Sequence, residues 1–142
     1  MKKATKLFLL LVFFIFVSCI SQHLKSPKKI VAIFDQVYGT SEMSSIASYT
    51  TGNFRDAKPK EVWVIDTWKV LKRLEYKRLN SKFIDSKIEG NKAIVVLQTQ
   101  IHATGGKVDQ KEVFYLIKQD GTWKIDELVV TDEELEERKE KI

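Results

Sequence analysis

Hydrophobic positions along the chain fall into three successive regimes. From Leu7 to Val17 they are continuous, eleven residues with no polar side chain among them. From Ile30 to Leu74 they recur at intervals of three and four. From Tyr76 to Val130 they mostly alternate with polar residues. The first regime is too short for a stable membrane span, which needs ~20 apolar residues. The second is the period of amphipathic helices and the third that of half-buried strands.

The helical regime divides into three elements. Ser26-Pro27 is a helix start, with Ser as N-cap and Pro at the first helical position. Ile30, Val31, Phe34, Val37 and Tyr38 then share one face, and Gly39 supplies the stop. A second helix is predicted over Ser41–Thr50, burying Met43, Ile46 and Ala47. Thr51–Lys58 is polar, contains Gly52-Asn53 and reads as a loop. Pro59 opens a third helix running to about Leu74. Its apolar face is Val62, Ile65, Trp68 and Leu71, widened by Trp63, Val64 and Val70.

The alternating regime predicts four strands: Tyr76–Ile84, Lys92–Ala103, Glu112–Lys118 and Thr122–Val130. Glu89-Gly90-Asn91, Gly105-Gly106 and Asp120-Gly121 separate them. Asp-Gly suits a two-residue hairpin, whose central residues both need positive φ. Turns this short between consecutive strands imply an antiparallel meander. Thr131 to Glu134 fits a capping box and opens a short charged helix over 132–142. Three helices followed by four antiparallel strands is an α+β layout.

Lys2, Lys3 and Lys6 precede the apolar run, and Ser18-Cys19 closes it. A basic start, a short apolar core and a small residue before the cut describe a signal peptide. Phe16-Val17-Ser18-Cys19 resembles the bacterial lipobox, with Phe16 where an aliphatic residue is usual. The resemblance implies that lipid is attached to Cys19 and that cleavage falls before it. A plain secretory signal and an uncleaved anchor are the other readings of this segment. The chain then divides into a signal peptide (1–18), a lipidated tether (19–25), one domain (26–131) and a charged tail (132–142). The expected location is the cell envelope, with the protein held on a membrane through Cys19. In Gram-negative lipoproteins a residue other than Asp after the cysteine, here Ile20, implies transfer to the outer membrane.

Composition narrows the picture further. Cys19 is the single cysteine, so no intramolecular disulfide can form. The leader carries three of the 24 basic residues and none of the 19 acidic ones. The mature chain is therefore near +2, about neutral for its size, and nucleic-acid binding is not expected. Two histidines 79 positions apart and one cysteine give no metal-ligand spacing, and no cofactor is expected. No Gly-rich phosphate loop or nucleophile elbow occurs.

Two segments carry a fold resemblance: Ile88-Glu-Gly-Asn-Lys-Ala-Ile-Val95, and Asp120-Gly-Thr-Trp-Lys-Ile-Asp126. Together with the order of elements they resemble the NTF2-like superfamily, including its small bacterial lipoproteins. The resemblance implies N-terminal helices packed on a curved four-stranded antiparallel sheet, forming a cone. Trp123 and Ile125, two apart, would pack under the helices. Some members of the superfamily are isomerases, cyclases or dehydratases with an Asp, His or Tyr in the cone. Others bind ligands or partners, and many dimerise through the outer sheet face. The fold alone assigns no activity.

The candidate pocket residues are Tyr49, Asp66, Trp68, Gln98, Gln100 and His102. Gln98, Gln100 and His102 alternate onto one side of the second strand. Facing the cone, they would orient a ligand or act in acid–base chemistry. Facing outward, they would be surface or dimer-interface residues. Asp66, with Tyr49 and Trp68, reads either as a cone acid among aromatics or as an exposed helix residue. The leading expectation is a membrane-anchored domain binding a small apolar ligand or an envelope protein, with a homodimer through the sheet as a further expectation. The rivals are an isomerase- or dehydratase-type enzyme using His102 or Asp66, and a purely structural assembly subunit. Lys25, Lys28 and Lys29, and a second group of Lys69, Lys72, Arg73, Lys77 and Arg78, are either solvated faces or contacts for anionic headgroups.

Overall fold

A computed structural model describes residues 25–132. The predicted leader, Cys19 and residues 133–142 of the predicted C-terminal helix lie outside the described residues; Asp132, the first residue of that predicted helix, is in a strand instead.

Helix α1 spans Pro27–Val37. Its cap is the one read from the sequence: Ser26 Oγ accepts the Lys29 N–H at 3.2 Å. Ile30, Val31, Phe34 and Val37 are buried. Gly39 follows at φ 83°, a left-handed conformation that favours glycine. It also makes room: a Cβ there would lie 2.8 Å from the Tyr76 ring.

Helix α2 covers only Ser44–Ala47, shorter than the predicted Ser41–Thr50. Hydroxyl side chains compete for the carbonyls that a longer helix would use. Thr40 Oγ1 donates to the Val37 carbonyl, Ser45 Oγ to that of Glu42 and Thr50 Oγ1 to that of Ala47, at 2.7–2.8 Å. Met43, Ile46 and Ala47 are nevertheless buried, as their spacing requires.

Helix α3 spans Lys60–Arg73. Its buried face differs from the predicted one. Trp63 and Leu71 are buried, with Val64 and Trp68 packed beside them. Val62, Ile65 and Val70 are about half exposed. The helix lies at the border of the core, against α2, so only a narrow stripe of it is covered. Periodicity finds an apolar helix but cannot choose between two overlapping apolar stripes.

The sheet is an antiparallel meander in the order β1-β2-β3-β4. Its strands are β1 Lys77–Glu89, β2 Lys92–Ala103, β3 Gly106–Gln119 and β4 Thr122–Asp132. Asp120 and Gly121 both take positive φ, 50° and 77°, as the two-residue turn demands. β1 continues past the predicted Ile84, and β3 begins well before Glu112. These extensions leave side chains uncovered, so no apolar alternation marks them; pairing with β2 carries them. Bulges interrupt the register at Leu79, Ile84 and Asp126. Such bulges bend and twist a sheet.

The inner face stacks Ala93, Val95, Leu97 and Thr99 of β2 beside Glu112, Phe114 and Leu116 of β3. Trp123 and Ile125 of β4 complete it, as expected. Phe34 of α1 sits edge-on to Phe114 at 5.1 Å. The edge of β4 is partly covered: Ile125 N–H donates to the Tyr49 carbonyl at 2.7 Å, and Thr51 N–H to the Ile125 carbonyl at 2.9 Å. β1 is the opposite edge.

Candidate functional site

Among the described residues a dense polar cluster lies between α1 and the inner face of the sheet, and its centre is Arg78. Leu74–Glu75 turns the chain out of α3, with Glu75 at φ 53°. Arg78 then enters β1 opposite Ile101, on the inner face. Its side chain runs along that face to Glu112, which sits between Leu97 and Val130 in the register. Arg78 Nη1 and Nη2 donate to the two Glu112 carboxylate oxygens at 2.9 and 2.7 Å. Nε donates to Asp35 Oδ1 of α1 at 2.7 Å. The remaining N–H groups reach the Tyr76 hydroxyl (3.0 Å) and Thr99 Oγ1 (3.3 Å). A guanidinium has five N–H donors, and all five are used.

The carboxylates are satisfied in turn. Glu112 also accepts from Gln110 Nε2 at 2.8 Å. Asp35 accepts from Ser81 Oγ at 2.5 Å. The Arg78 side chain is 6% exposed and Glu112 1%, while Asp35 at 29% is the most exposed of the three charged groups. Burial by itself lowers the guanidinium pKa, but the hydrogen bonds and charge of Glu112 outweigh it and hold the pKa above the ordinary value. Burial pushes the Tyr38 hydroxyl up to about 12, and raises Tyr76 for the same reason.

Aromatic rings fill the space around this cluster. Phe34 stacks on Tyr38 at 4.4 Å, Tyr38 meets Tyr76 edge-on at 5.8 Å, and Phe54 meets Trp63 at 5.7 Å. Arg78 lies over the Phe34 ring at 5.6 Å. A saturated guanidinium in an aromatic setting is a clamp: it ties β1 to β3 across β2, and both to α1. A ligand anion could reach it only by displacing Glu112 or Asp35.

The sequence-derived candidates lie elsewhere. Gln98, Gln100 and His102 have the opposite parity to Thr99 and stand on the outer face of the sheet. There Gln98 and Gln100, with Asn80, Lys82 and Asp109, line a shallow depression of about 250 Å³. Gln100 Nε2 donates to Asp109 Oδ1 at 3.0 Å. His102 lies between Lys77 and Lys107 in the register. Asp66 is exposed and paired with Lys58 at 3.1 Å. Trp68 packs against the rim of the core, with the Lys72 ammonium 4.7 Å from its ring centre. Tyr49 is half-buried and its hydroxyl accepts from Lys25 Nζ. The sheet stands between the three outer-face residues and the three on the helical side. Cys19 lies outside the described residues.

Sequence proximity groups Arg78 with the surface lysines, and its burial removes it from that patch. The clamp left a trace in the sequence. Glu112 holds the same alternation as Phe114 and Leu116, and Asp35 falls on the stripe of Val31 and Tyr38. Charged residues at buried parity are the signal, and their pairing is visible only in three dimensions. Among the described residues no three His, Cys, Asp or Glu side chains gather as a metal site.

The outer face also carries an apolar strip. Ile94, Tyr115 and Val129 are each a little over one third exposed, with Val96 and Val113 between them. A groove of about 370 Å³ beside Ile94 and Tyr115 is rimmed by Lys87, Glu89, Lys92 and Glu127.

Comparison with solved structures defines the class: the fold is NTF2-like. An NTF2-like protein of unknown function from Cytophaga hutchinsonii superposes with a TM-score of 0.50 at 15% identity, covering 82% of this chain and 98% of that one. A SEC-C motif containing protein from Rhodopseudomonas palustris gives a TM-score of 0.60 at 18% identity, covering 75% and 80%. A protein of unknown function from Mycobacterium tuberculosis gives 0.55 at 14% identity, covering 75% and 69%. At these identities the likeness is one of fold. No protein-family model matches the sequence, and no curated protein matches it.

Proposed function

We propose that this protein is a lipid-anchored lipoprotein of the cell envelope whose NTF2-like domain is a binding module, presenting the outer face of its sheet to a protein partner. One contrast carries this reading. Around the saturated Arg78 clamp the inner face is packed by Phe34, Tyr38 and Phe114, while the middle of the outer face exposes Ile94, Tyr115 and Val129. Large exposed apolar side chains grouped on one face mark an interaction surface more often than they mark chance. The packed interior favours a protein over a small apolar ligand. The placement of His102 outside the cone, and of Asp66 in a solvent-exposed ion pair, favours binding over acid–base chemistry at those residues. A second copy of the chain, paired sheet to sheet, is the simplest such partner. The anchor is supported by the basic start, the short apolar run and Cys19.

Two measurements test this. Metabolic labelling with a fatty-acid analogue should mark the wild-type chain and not Cys19→Ala; equal labelling of both removes the anchor. A photo-crosslinking residue in place of Tyr115, in cells, should give a discrete protein adduct. A matched probe at Lys58, and Tyr115 probes in a Val113→Asp background, should not. A small-molecule adduct retained in the cone on native mass spectrometry would overturn the protein-partner reading.

A further inference from the structure

The described chain begins at Lys25, six residues after Cys19. Six residues reach at most about 20 Å. If Cys19 carries lipid, as proposed above, Lys25 is held within that distance of the headgroups, with the start of α1 at Pro27 only two residues further on. What lies at this end of the domain is therefore what meets the membrane first.

Three lysines lie there: Lys25, Lys28 and Lys29, all exposed. The first turn of α1 contains no acidic residue. Cations at a helix N-terminus oppose the helix dipole, where carboxylates would stabilise it. Lys25 donates to the Tyr49 hydroxyl, and among the described residues none of the three lysines is ion-paired with a carboxylate. A local choice that runs against helix stability without an acid to offset it points to a function. Lys28 Nζ stands 5.0 Å from the centre of the Phe83 ring on β1. From Phe83 the strand runs toward the β1–β2 hairpin, and Phe83, Ile84 and Ile88 along it are 39%, 53% and 56% exposed. Ile84 is the bulged residue, released from pairing with β2. Lys87 follows on the same stretch, ion-paired with Glu89. Asp85, on the outer side, is the other acid of this segment.

We propose that this end of the domain is a docking surface for an anionic lipid bilayer, with Lys25, Lys28 and Lys29 meeting the headgroups and Phe83, Ile84 and Ile88 entering the interface. The combination is that of interfacial anchors generally: basic side chains beside apolar ones, near a covalent lipid. Docking fixes the orientation of the domain. The β2–β3 hairpin at Thr104-Gly105 is then at the far end of a strand roughly 35–40 Å long, pointing away from the membrane.

The test uses the full lipidated chain reconstituted into vesicles of phosphatidylcholine alone, or of phosphatidylcholine mixed with phosphatidylglycerol. An environment-sensitive fluorophore is attached to Ile88→Cys, or to Lys107→Cys at the far end. With Cys19 acylated, the new cysteine is the single reactive thiol. The expected result is a blue shift and quenching by brominated lipid at position 88 in the anionic vesicles, reversed by high salt, with position 107 unchanged. Each lysine should change the docked-to-undocked ratio by about fivefold, so Lys25→Gln/Lys28→Gln/Lys29→Gln together should lower it about a hundredfold. Flotation separates the two levels of failure. If the protein floats with neutral vesicles but position 88 stays as water-exposed as 107 in both lipids, the docking surface is refuted and the anchor stands. If the protein does not float, the anchor fails and this inference with it.

Discussion

The Arg78–Glu112 pair offers the sharpest test of how this fold is held together. Replacing Glu112 by Leu leaves a guanidinium 6% exposed that has lost two of its five hydrogen bonds. Breaking a buried ion pair from one side costs about 3–5 kcal/mol. Arg78 keeps Asp35 at 2.7 Å, but Asp35 is 29% exposed and its attraction is partly screened, so the lower end applies: ~3 kcal/mol. Against a typical domain stability of about 5–15 kcal/mol this is a large fraction. It corresponds to a fall in Tm of roughly 10–20 °C for a domain of this size. Removing both charges is different. Arg78→Met with Glu112→Leu takes away the desolvation cost along with the attraction, and such exchanges are often neutral or stabilising. Asp35 then loses its partner, yet its partial exposure lets water replace it. The double variant should therefore be more stable than Glu112→Leu alone, with a coupling energy of at least ~2 kcal/mol in a double-mutant cycle. Urea unfolding provides the assay: the midpoint should move while the slope stays constant. A cost under ~1 kcal/mol for Glu112→Leu, or strict additivity in the cycle, would refute the clamp.

Three further outcomes are expected. Gly39→Ala should destabilise by about 1–2 kcal/mol from its left-handed backbone alone, and by more if Tyr76 cannot yield to the new Cβ 2.8 Å away; chemical denaturation reads this directly. Tyr38, raised to about 12 by burial, holds its proton in the folded state above the pH at which the unfolded chain loses it. Its contribution is thus fully present below pH ~10 and is lost between ~10 and ~12, about 2–3 kcal/mol in all. Unfolding curves across that window, with tyrosinate absorbance followed in parallel, should show stability falling as pH rises; a flat profile there would contradict the burial. Asp66→Asn should change stability by less than ~1 kcal/mol, since both members of its ion pair are about half exposed.

Much of the layout was written in local chemistry. The Ser26 cap, the Gly39 stop, the bounds of β2 and the Asp120-Gly121 turn depend on neighbours in sequence and stand as read. The superfamily resemblance rested on such features, and the fold agrees with it. The limits of α2, the buried stripe of α3 and the extensions of β1 and β3 depended on what each segment touches, and these differ from the reading. The candidate site shows the same division. Alternation put Gln98, Gln100 and His102 on one side of β2, as they are, but could not say which side faced the helices. A strand's period orders its side chains in two sets; only packing against α1 decides which set is inside. The sequence by itself determined the elements, the turns and the short apolar run that ends at the single cysteine. Only the tertiary structure decided that Arg78, Glu112 and Asp35, far apart along the chain, share one buried site. Ion pairing acts through a few ångströms of space, and nothing in the order of residues records that distance.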